Sequence, residues 1–371
     1  MNTFENFDLK TNPFRMTPAL NSKELIWAGF PLVKNKFENR IKRSIQIPNS
    51  SLVLNWGEYG SGKTHAARYF NKKEVLAKIA SEAGGNSVPF SVNVNFPKSK
   101  QPVWDIYIQI IDKIQINELR EYLKEKGVIV SDILDSITNN YFIQNVIKLM
   151  FDRDVDENLF KQYLYKTISN SDLKAFPKEG IQRVFSTDND LTEFLGALFT
   201  VLTYKKKAYS CVVIWFDEFE DISILNSLNI SGINNFLKLI VDIVPNNLLI
   251  FLNLTQSAMM SISDLSEYLQ DAVKSRIKER IELAIPTKED LKLYLKELLN
   301  NSIHRETARD DFYPFNEEVI DALMADLGNV SLRRLNEAFS LLLESAAFEK
   351  TDEINLDYYK SLKEEIIGWK E

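Results

Sequence analysis

A glycine-rich segment constrains the fold of this chain more than any other stretch. Residues 57–64 read GEYGSGKT and match the pattern G-x-x-x-x-G-K-[ST] at every fixed position. Residues 50–56 before them predict a short buried strand, and residues 63–83 predict a helix. In this context glycines let backbone N–H groups approach phosphate oxygens, and the helix begins with its positive end at the same point. The sequence therefore predicts a nucleotide phosphate site in a parallel α/β sheet.

The residues of this loop have distinct expected roles. Lys63 is expected to reach the β- and γ-phosphates of a nucleotide, and Thr64 is expected to bind Mg²⁺. The alternative is a glycine-rich turn that binds no ligand. The residues expected to line the nucleotide are Gly57, Glu58, Tyr59, Gly60, Ser61, Gly62, Lys63, Thr64 and His65.

A second motif, CVVIWFDEFED at residues 211–221, combines a β-prone run with carboxylates. Such a run is typical of a central parallel strand that is buried on both faces. Asp217 is then expected at the carboxyl edge of the sheet, where it would hold Mg²⁺ through water. Glu218 is placed to polarise the attacking water as a general base. The alternative is a solvated acidic loop after a strand.

Together these motifs resemble those of the AAA+ ATPases. The resemblance implies a P-loop parallel sheet flanked by helices, a C-terminal helical lid, ATP and Mg²⁺ as cofactors, and ATP hydrolysis. Residues 246–256 resemble the strand that carries the sensor-1 residue of that family. Asn253, Thr255 and Gln256 all qualify, and the usual ending of that strand in the family favours Gln256 or Thr255.

The resemblance also implies roles for two groups of arginines. Residues 271–283 resemble the segment of the arginine finger, with Arg276 as first candidate and Arg280 as second. A finger neutralises charge on the γ-phosphate in a neighbouring subunit, which implies a homo-oligomer. The alternative for Arg276 is a surface charge on an amphipathic helix. Residues 327–346 resemble the lid helix of sensor 2, from which Arg333 or Arg334 would contact the γ-phosphate. Adjacent helical residues point about 100° apart, so only one of the two would face the nucleotide.

The N-terminal residues 4–18, FENFDLKTNPFRMTP, resemble the opening of ExeA-type ATPases. These lie near the transposition ATPases TnsC, MuB and TniB and near the origin-recognition-complex-like initiators. Pro13 and Pro18 predict an extended arm. The resemblance implies that this arm leads into the adenine pocket. Phe30 and Pro31 are candidates to pack on the base. The alternative is that they form a hydrophobic staple under the first helix.

The predicted organisation has three parts. They are an arm with the first helix at 1–48, an AAA+ αβα core at 49–285 and a helical lid at 286–371. Within the core, residues 100–204 predict a helical insertion of four to six helices packed as a satellite bundle. The alternatives are a helical layer of the core without a separate role and a surface for a partner or for regulation. The residues after the predicted lid are too few for a winged-helix domain, which weighs against a replication initiator.

Composition and hydropathy indicate the cellular compartment in which we expect the protein. The single cysteine, Cys211, excludes an intrachain disulfide framework and fits a reducing compartment. The N-terminus has no apolar signal region, and no apolar run is long enough to span a membrane. Two separate histidines argue against a structural zinc site. We therefore expect a soluble cytoplasmic protein without a membrane partner.

Three functions are compatible with these patterns. The first is a nucleotide-controlled ATPase switch on DNA that recruits or regulates an effector protein, in transposition, mobile-element maintenance or defence. Local basic segments at 34–43, 204–209 and 274–280 favour contact with the DNA backbone, although such segments are often solvated faces. The second is a protein-directed ATPase for remodelling, assembly or signalling, which the net charge of −7 would suit. The third is a nucleotide-locked scaffold with little turnover.

Overall fold

The computed structural model contains two compact units. It describes residues 3–17, 22–152, 154–174, 176, 181, 183–256, 261–309 and 311–368. We call the first the phosphate-loop unit, which comprises Met1–Lys36, Gly57–Tyr69 and Glu282–Glu371. We call the second the sheet unit, which comprises Phe37–Trp56 and Phe70–Ile281.

Five strands form one sheet. They are β1 (Ser51–Glu58), β2 (Phe90–Asn95), β3 (Val212–Asp217), β4 (Leu248–Gln256) and β5 (Ile277–Leu283). Their order across the sheet is β2-β3-β4-β1-β5, and β3 runs parallel to both β2 and β4. Nearly every residue of β3 and β4 is buried, as expected for apolar strands in the middle of a parallel sheet.

Helices flank this sheet and make up most of the remaining structure. In chain order the α-helices are α1 (Pro31–Gln46), α2 (Lys63–Tyr69), α3 (Lys73–Glu82), α4 (Pro102–Ile111), α5 (Ile116–Glu125), α6 (Leu134–Ile137), α7 (Tyr141–Phe151), α8 (Glu157–Leu164), α9 (Asn170–Leu173), α10 (Asp188–Thr203), α11 (Ser227–Ile243), α12 (Ile262–Tyr268), α13 (Asp271–Lys274), α14 (Lys288–Leu299), α15 (Glu317–Leu327), α16 (Leu332–Glu349) and α17 (Leu356–Ile367). Across the described ranges, no helix has both the length and the apolar character that a membrane span needs. The predicted α/β class, a parallel sheet flanked by helices with further helices at the C-terminal end, is confirmed.

The helix predicted after the glycine loop is broken in two. The sequence pattern predicts one helix over 63–83, but α2 ends at Tyr69 and α3 begins at Lys73. Phe70 at the break is fully buried. Its ring lies 5.3 Å from that of Phe37 and is stacked 6.3 Å from that of Trp215. We relate the break to this aromatic contact. The sequence pattern did not predict it, because local periodicity carries no information about Trp215, which lies 145 positions away in the chain.

The segment between β2 and β3 forms a helical layer of the core of the sheet unit. It holds seven described α-helices, α4 to α10, which is more than the four to six expected. Their buried apolar residues belong to the same hydrophobic cluster as alternate residues of β2, β3 and β4. Helix α10 is apolar on nearly every side because it packs between α11, α7 and α4. The interpretation as a core layer therefore fits better than that of a satellite bundle.

In the phosphate-loop unit the N-terminal arm shares a core with the C-terminal helices. Phe7, Leu9 and Phe14 are buried in one cluster with apolar residues of α14 to α17. The ring of Phe14 stacks on that of Phe339, with the centroids 5.4 Å apart. Pro18, which was part of the prediction of an extended arm, lies outside the described residues. The division of the chain at residues 48 and 285 remains a prediction.

Candidate nucleotide-binding site

The glycines of the loop occupy positions that larger residues could not take. Gly60 and Gly62 have φ values of +77° and +99°, a backbone conformation that L side chains rarely adopt. A Cβ atom on Gly57 would lie 2.6 Å from the carbonyl oxygen of Leu283. A Cβ atom on Gly60 would lie 2.8 Å from the Cβ of Arg333. The loop is thus a bare-backbone cradle that a side chain would fill.

A buried cation lies inside this cradle. Lys63 is only 7% exposed, although it is a lysine at the start of a helix. Its Nζ donates to the carbonyl oxygens of Gly57 and Glu58 at 2.9 and 2.8 Å, and to Oγ of Ser61 at 3.2 Å. The half-buried Thr64 follows it. A cation enclosed by a bare backbone loop fits the polyphosphate of a nucleotide.

His65 contacts the chain segment before the first helix. Its Nε2 is 2.7 Å from the carbonyl oxygen of Ile26, and its ring lies parallel to that of Tyr69 and 6.0 Å from that of Trp27. Burial lowers the pKa of His65. Because a carbonyl oxygen only accepts, the Nε2–H of His65 donates to Ile26. These contacts tie Ile26 and Trp27 to α2, and contact between His65 and a nucleotide remains a prediction.

Of the two predicted base-packing residues, Phe30 lies against the helical part of the phosphate-loop unit. Its ring is 6.0 Å from that of Tyr294 on α14, and it has a positive φ of 51°. Gly29 precedes it and donates its backbone N–H to the carboxylate of Glu297 at 2.6 Å. Pro31 is exposed and begins α1. These contacts fix the path of the segment, whereas packing on a base remains a prediction.

The structure separates the two adjacent arginines of α16. Arg333 donates from Nη1 to the hydroxyl of Tyr59 in the glycine loop, and its guanidinium lies 5.0 Å from the centre of that ring. Arg334 instead donates to Glu337 and to the carbonyl oxygen of Ile366, both at 2.8 Å. Arg333 therefore faces the loop, and Arg334 ties α16 to α17.

In the sheet unit, Asp217 accepts a hydrogen bond from a buried amide, which itself accepts one from a second buried amide. Asn253 donates from Nδ2 to Oδ1 of Asp217 at 3.2 Å, and Asn55 donates from Nδ2 to Oδ1 of Asn253 at 2.8 Å. Each asparagine is 1% exposed. Because a carboxylate only accepts hydrogen bonds, Asn253 must present its N–H₂ to Asp217 and its carbonyl to Asn55. The three side chains form a directed relay across β1, β4 and β3.

The other two sensor-1 candidates are placed differently from Asn253. Thr255 donates its backbone N–H to Oε2 of Glu220 at 2.8 Å, which ties the end of β4 to the acidic segment after β3. Gln256 is half-buried at the last position of β4. Among the three, the hydrogen bond to Asp217 comes from Asn253, the candidate that the family resemblance favours least.

Glu218 is paired with a lysine that the sequence did not single out. Glu218 is exposed and adopts a left-handed backbone conformation, with φ of 57°. Nζ of Lys98 lies 3.2 Å from Oε2 of Glu218 and 2.8 Å from Oδ2 of Asp221. The hydrogen bond to Asp221, followed by that to Glu218, raises the pKa of Lys98. Lys98 could have been found from the sequence only through the parallel pairing that sets Asn95 beside Asp217.

The arginine-finger candidates differ in how they are held. Arg276 donates from Nε and Nη2 to Oδ1 of Asp242, at 3.1 and 2.5 Å, and from Nη1 to the carbonyl oxygen of Ala272 at 2.5 Å. Arg280 is exposed on β5, which is an edge strand of the sheet. Arg276 is therefore engaged within its own chain, and Arg280 faces solvent.

Several residues of the predicted basic segments have structural partners. Lys206 and Lys207 donate to the carbonyl oxygens of Ile45 and Gly127, at 2.5 and 2.7 Å. Arg40 is buried, with its guanidinium bonded to the hydroxyl of Ser51. These cations stabilise backbone and side-chain groups of the sheet unit, so the count of basic residues overstates the positive surface available to DNA.

Comparisons with known proteins bear on the fold. No protein-family model matches the sequence, and no curated protein matches it. Among solved structures, the chain is similar to the ORC2 protein of Aeropyrum pernix in its ADPNP and ADP complexes, with a TM-score of 0.52, 17% identity and coverage of 92% of this chain and 70% of that chain. It is also similar to a chain of Drosophila ORC bound to DNA, with a TM-score of 0.50, 12% identity and coverage of 98% and 65%.

The chain thus spans about two thirds of the length of these structural neighbours. At such low identity the likeness concerns the fold. The strand order, the glycine loop after β1 and the carboxylates after β3 agree with it. The chain has the fold of the AAA+ P-loop ATPases, and in that fold it resembles the origin-recognition proteins.

Proposed function

We propose that this chain binds ATP with Mg²⁺ and hydrolyses it. The observation that carries the proposal is the buried ammonium of Lys63 inside a loop whose glycines either have a positive φ or leave no room for a Cβ atom. A triphosphate suits such a site because its oxygens can replace the loop carbonyls as partners of Lys63. Arg333, which already lies against the same loop, would contact the γ-phosphate from within the same chain.

The carboxylates after β3 supply the second half of the proposed chemistry. Thr64 and Asp217 would hold Mg²⁺, which neutralises charge on the phosphates when it is bound. Glu218 would accept the proton of the attacking water. The relay from Asn55 through Asn253 orients the Asp217 carboxylate, because the amide of Asn253 donates to Asp217 and accepts from Asn55. We therefore keep Asn253, together with Thr255 and Gln256, as a candidate sensor of the nucleotide.

The same proposal includes assembly of several copies. An arginine supplied by a neighbouring copy would complete the charge stabilisation at the γ-phosphate. Arg276 would first have to leave Asp242, whereas Arg280 is already exposed on an edge strand. Both remain candidates for the finger, and Arg280 needs the smaller rearrangement.

The Lys98→Ala variant should hydrolyse ATP about 2- to 5-fold faster than the wild type, a modest effect of the size expected for one exposed ion pair. The reason is that the Lys98 ammonium occupies an oxygen of Glu218 that must accept the proton from water. Steady-state phosphate release measured at saturating ATP checks this rate. The Lys100→Ala variant removes an exposed lysine from the same loop and should hydrolyse ATP at the wild-type rate. A slower Lys98→Ala enzyme would show that Lys98 assists Glu218.

We further propose that the ATPase acts as a switch on DNA that recruits or regulates an effector protein, in transposition, mobile-element or defence processes in the cytoplasm. One structural neighbour, Drosophila ORC, is bound to DNA, and this fold similarity supports the proposal. The alternative is a protein-directed ATPase without DNA contact. It is supported by the net charge of −7 and by the internal partners of Lys206 and Lys207.

ATP hydrolysis measured with and without duplex DNA distinguishes these two functions. For a switch on DNA we expect stimulation by DNA of any sequence, because the contact would be to the phosphate backbone. We also expect the stimulation to fall steeply between about 50 and 200 mM salt, since backbone binding releases counterions. Hydrolysis that is unchanged by DNA at both salt concentrations would favour the protein-directed ATPase.

A further inference from the structure

A tyrosine of the glycine loop is the partner of the arginine that faces it. Tyr59 is the third residue of the loop and is 66% exposed. Its hydroxyl accepts a hydrogen bond from Nη1 of Arg333, and the guanidinium also lies 5.0 Å from the ring centre. Both residues belong to the phosphate-loop unit. The contact therefore joins two parts of a single compact unit.

The backbone brings Arg333 to this place. The start of α16 approaches the loop so closely that a Cβ atom on Gly60 would lie 2.8 Å from Cβ of Arg333 and 2.8 Å from Oγ of Ser331. Arg334, the neighbouring residue, is committed to Glu337 and Ile366. Arg333 is thus confined to the surface of the loop, next to the position of the phosphates in the proposed function.

The phenol of Tyr59 is a weaker partner for a guanidinium than a phosphate is. A neutral hydroxyl offers one oxygen, whereas a terminal phosphate offers charged oxygens that a guanidinium can bind through two parallel bonds. A solvent-exposed ring also adds little burial of apolar surface. A γ-phosphate can therefore displace Tyr59 from Arg333. The hydrogen bond between Arg333 and the Tyr59 hydroxyl is then lost.

We propose that the Tyr59 hydroxyl competes with the γ-phosphate for Arg333, and that Tyr59 thereby limits the preference of the site for a nucleoside triphosphate over a diphosphate. This inference rests on the proposed binding of ATP. A diphosphate leaves Arg333 on Tyr59, and a triphosphate moves Arg333 and releases Tyr59. The exposed Tyr59 ring would then differ between the ATP state and the ADP state of the loop.

Nucleotide affinities of four proteins test the competition. The full chain, Tyr59→Phe, Arg333→Gln and the double variant are titrated by calorimetry with Mg²⁺ and either adenylyl imidodiphosphate, a slowly hydrolysed ATP analogue, or ADP. Phenylalanine keeps the ring but removes the hydroxyl acceptor. We expect Tyr59→Phe to bind the ATP analogue about 2- to 10-fold more tightly, the range of one hydrogen bond, with no change for ADP.

The double variant shows whether the effect passes through Arg333. With Arg333→Gln in place, Tyr59→Phe should change neither affinity. Tyr141→Phe, which removes an exposed hydroxyl from the sheet unit, is the matched control and should resemble the wild type. The proposal would be overturned if Tyr59→Phe tightened the binding of both nucleotides equally or left the ratio of the two affinities unchanged. It would also be overturned if the tighter binding of the ATP analogue persisted in the double variant. If the wild type binds neither nucleotide, the proposed function itself fails, and the two failures are distinct.

Discussion

The Lys63→Ala variant is expected to bind ATP about 10- to 100-fold more weakly than the wild type, since hydrogen bonds to a charged group contribute about 1.5–3 kcal/mol. The substitution removes the ammonium that lies inside the glycine loop, within 2.9 Å of the carbonyl oxygens of Gly57 and Glu58. It takes away the positive charge that the phosphates would meet. Calorimetric titration with ATP and Mg²⁺ measures the loss.

Two controls separate binding from folding. Lys73→Ala removes an exposed lysine at the start of α3 and should leave the affinity unchanged. Thermal unfolding of Lys63→Ala, followed by circular dichroism, reports whether the variant remains folded. A Lys63→Arg variant keeps the charge for the case in which the alanine variant does not fold. If a folded Lys63→Ala protein bound ATP with wild-type affinity, this would contradict the assignment of the glycine loop as the phosphate-binding site.

The second large effect concerns the chemical step. The Glu218→Gln variant should hydrolyse ATP at least about 100-fold more slowly, because general-base catalysis contributes about 10²- to 10⁴-fold. Glutamine has nearly the same shape as glutamate but cannot accept the proton of water. Glu218 is exposed, so its replacement should disturb the fold little. ATP affinity should stay within about twofold of the wild type, since the side chain is assigned to the water and not to the phosphates.

Phosphate release under saturating ATP, together with nucleotide titration, checks both parts of this expectation. The matched control is Glu220→Gln, two positions along the same acidic segment. Its amide oxygen can still accept the backbone N–H of Thr255, so hydrolysis should be close to that of the wild type. Undiminished hydrolysis in Glu218→Gln would show that another group is the base. A wild type that binds ATP without turnover would instead support the nucleotide-locked scaffold.

Much of the candidate site was predictable because its parts are local in the chain. The glycine loop, Lys63 and Thr64 lie within eight consecutive positions, and Asp217 and Glu218 directly follow an apolar run. Strand and loop preferences act over such short distances, so the pattern of residues reports them directly. The parallel sheet was predictable for the same reason, from uninterrupted apolar strands that end in polar residues.

The choice between neighbouring residues was not predictable in this way. Arg333 and Arg334 share the same local pattern, and only the approach of α16 to the glycine loop assigns Arg333 to Tyr59. Asn253 ranked behind Thr255 and Gln256 by resemblance, yet it is the side chain that bonds to Asp217. Each distinction depends on which side chain points toward a partner far away in the chain, and periodicity does not contain that information.

Pairings between distant charges also needed the three-dimensional arrangement. Lys98 meets Glu218 because β2 lies beside β3 in parallel register, although the two residues are 120 positions apart. The sequence around Lys206 and Lys207 predicts a basic surface, but these lysines donate to the carbonyl oxygens of Ile45 and Gly127. Local sequence was sufficient for the glycine loop and for the strand that precedes the carboxylates, since backbone conformation and burial pattern are encoded within a few residues. The partners of each charged side chain were settled by tertiary packing, because hydrogen bonds and ion pairs depend on distances that only the folded chain defines.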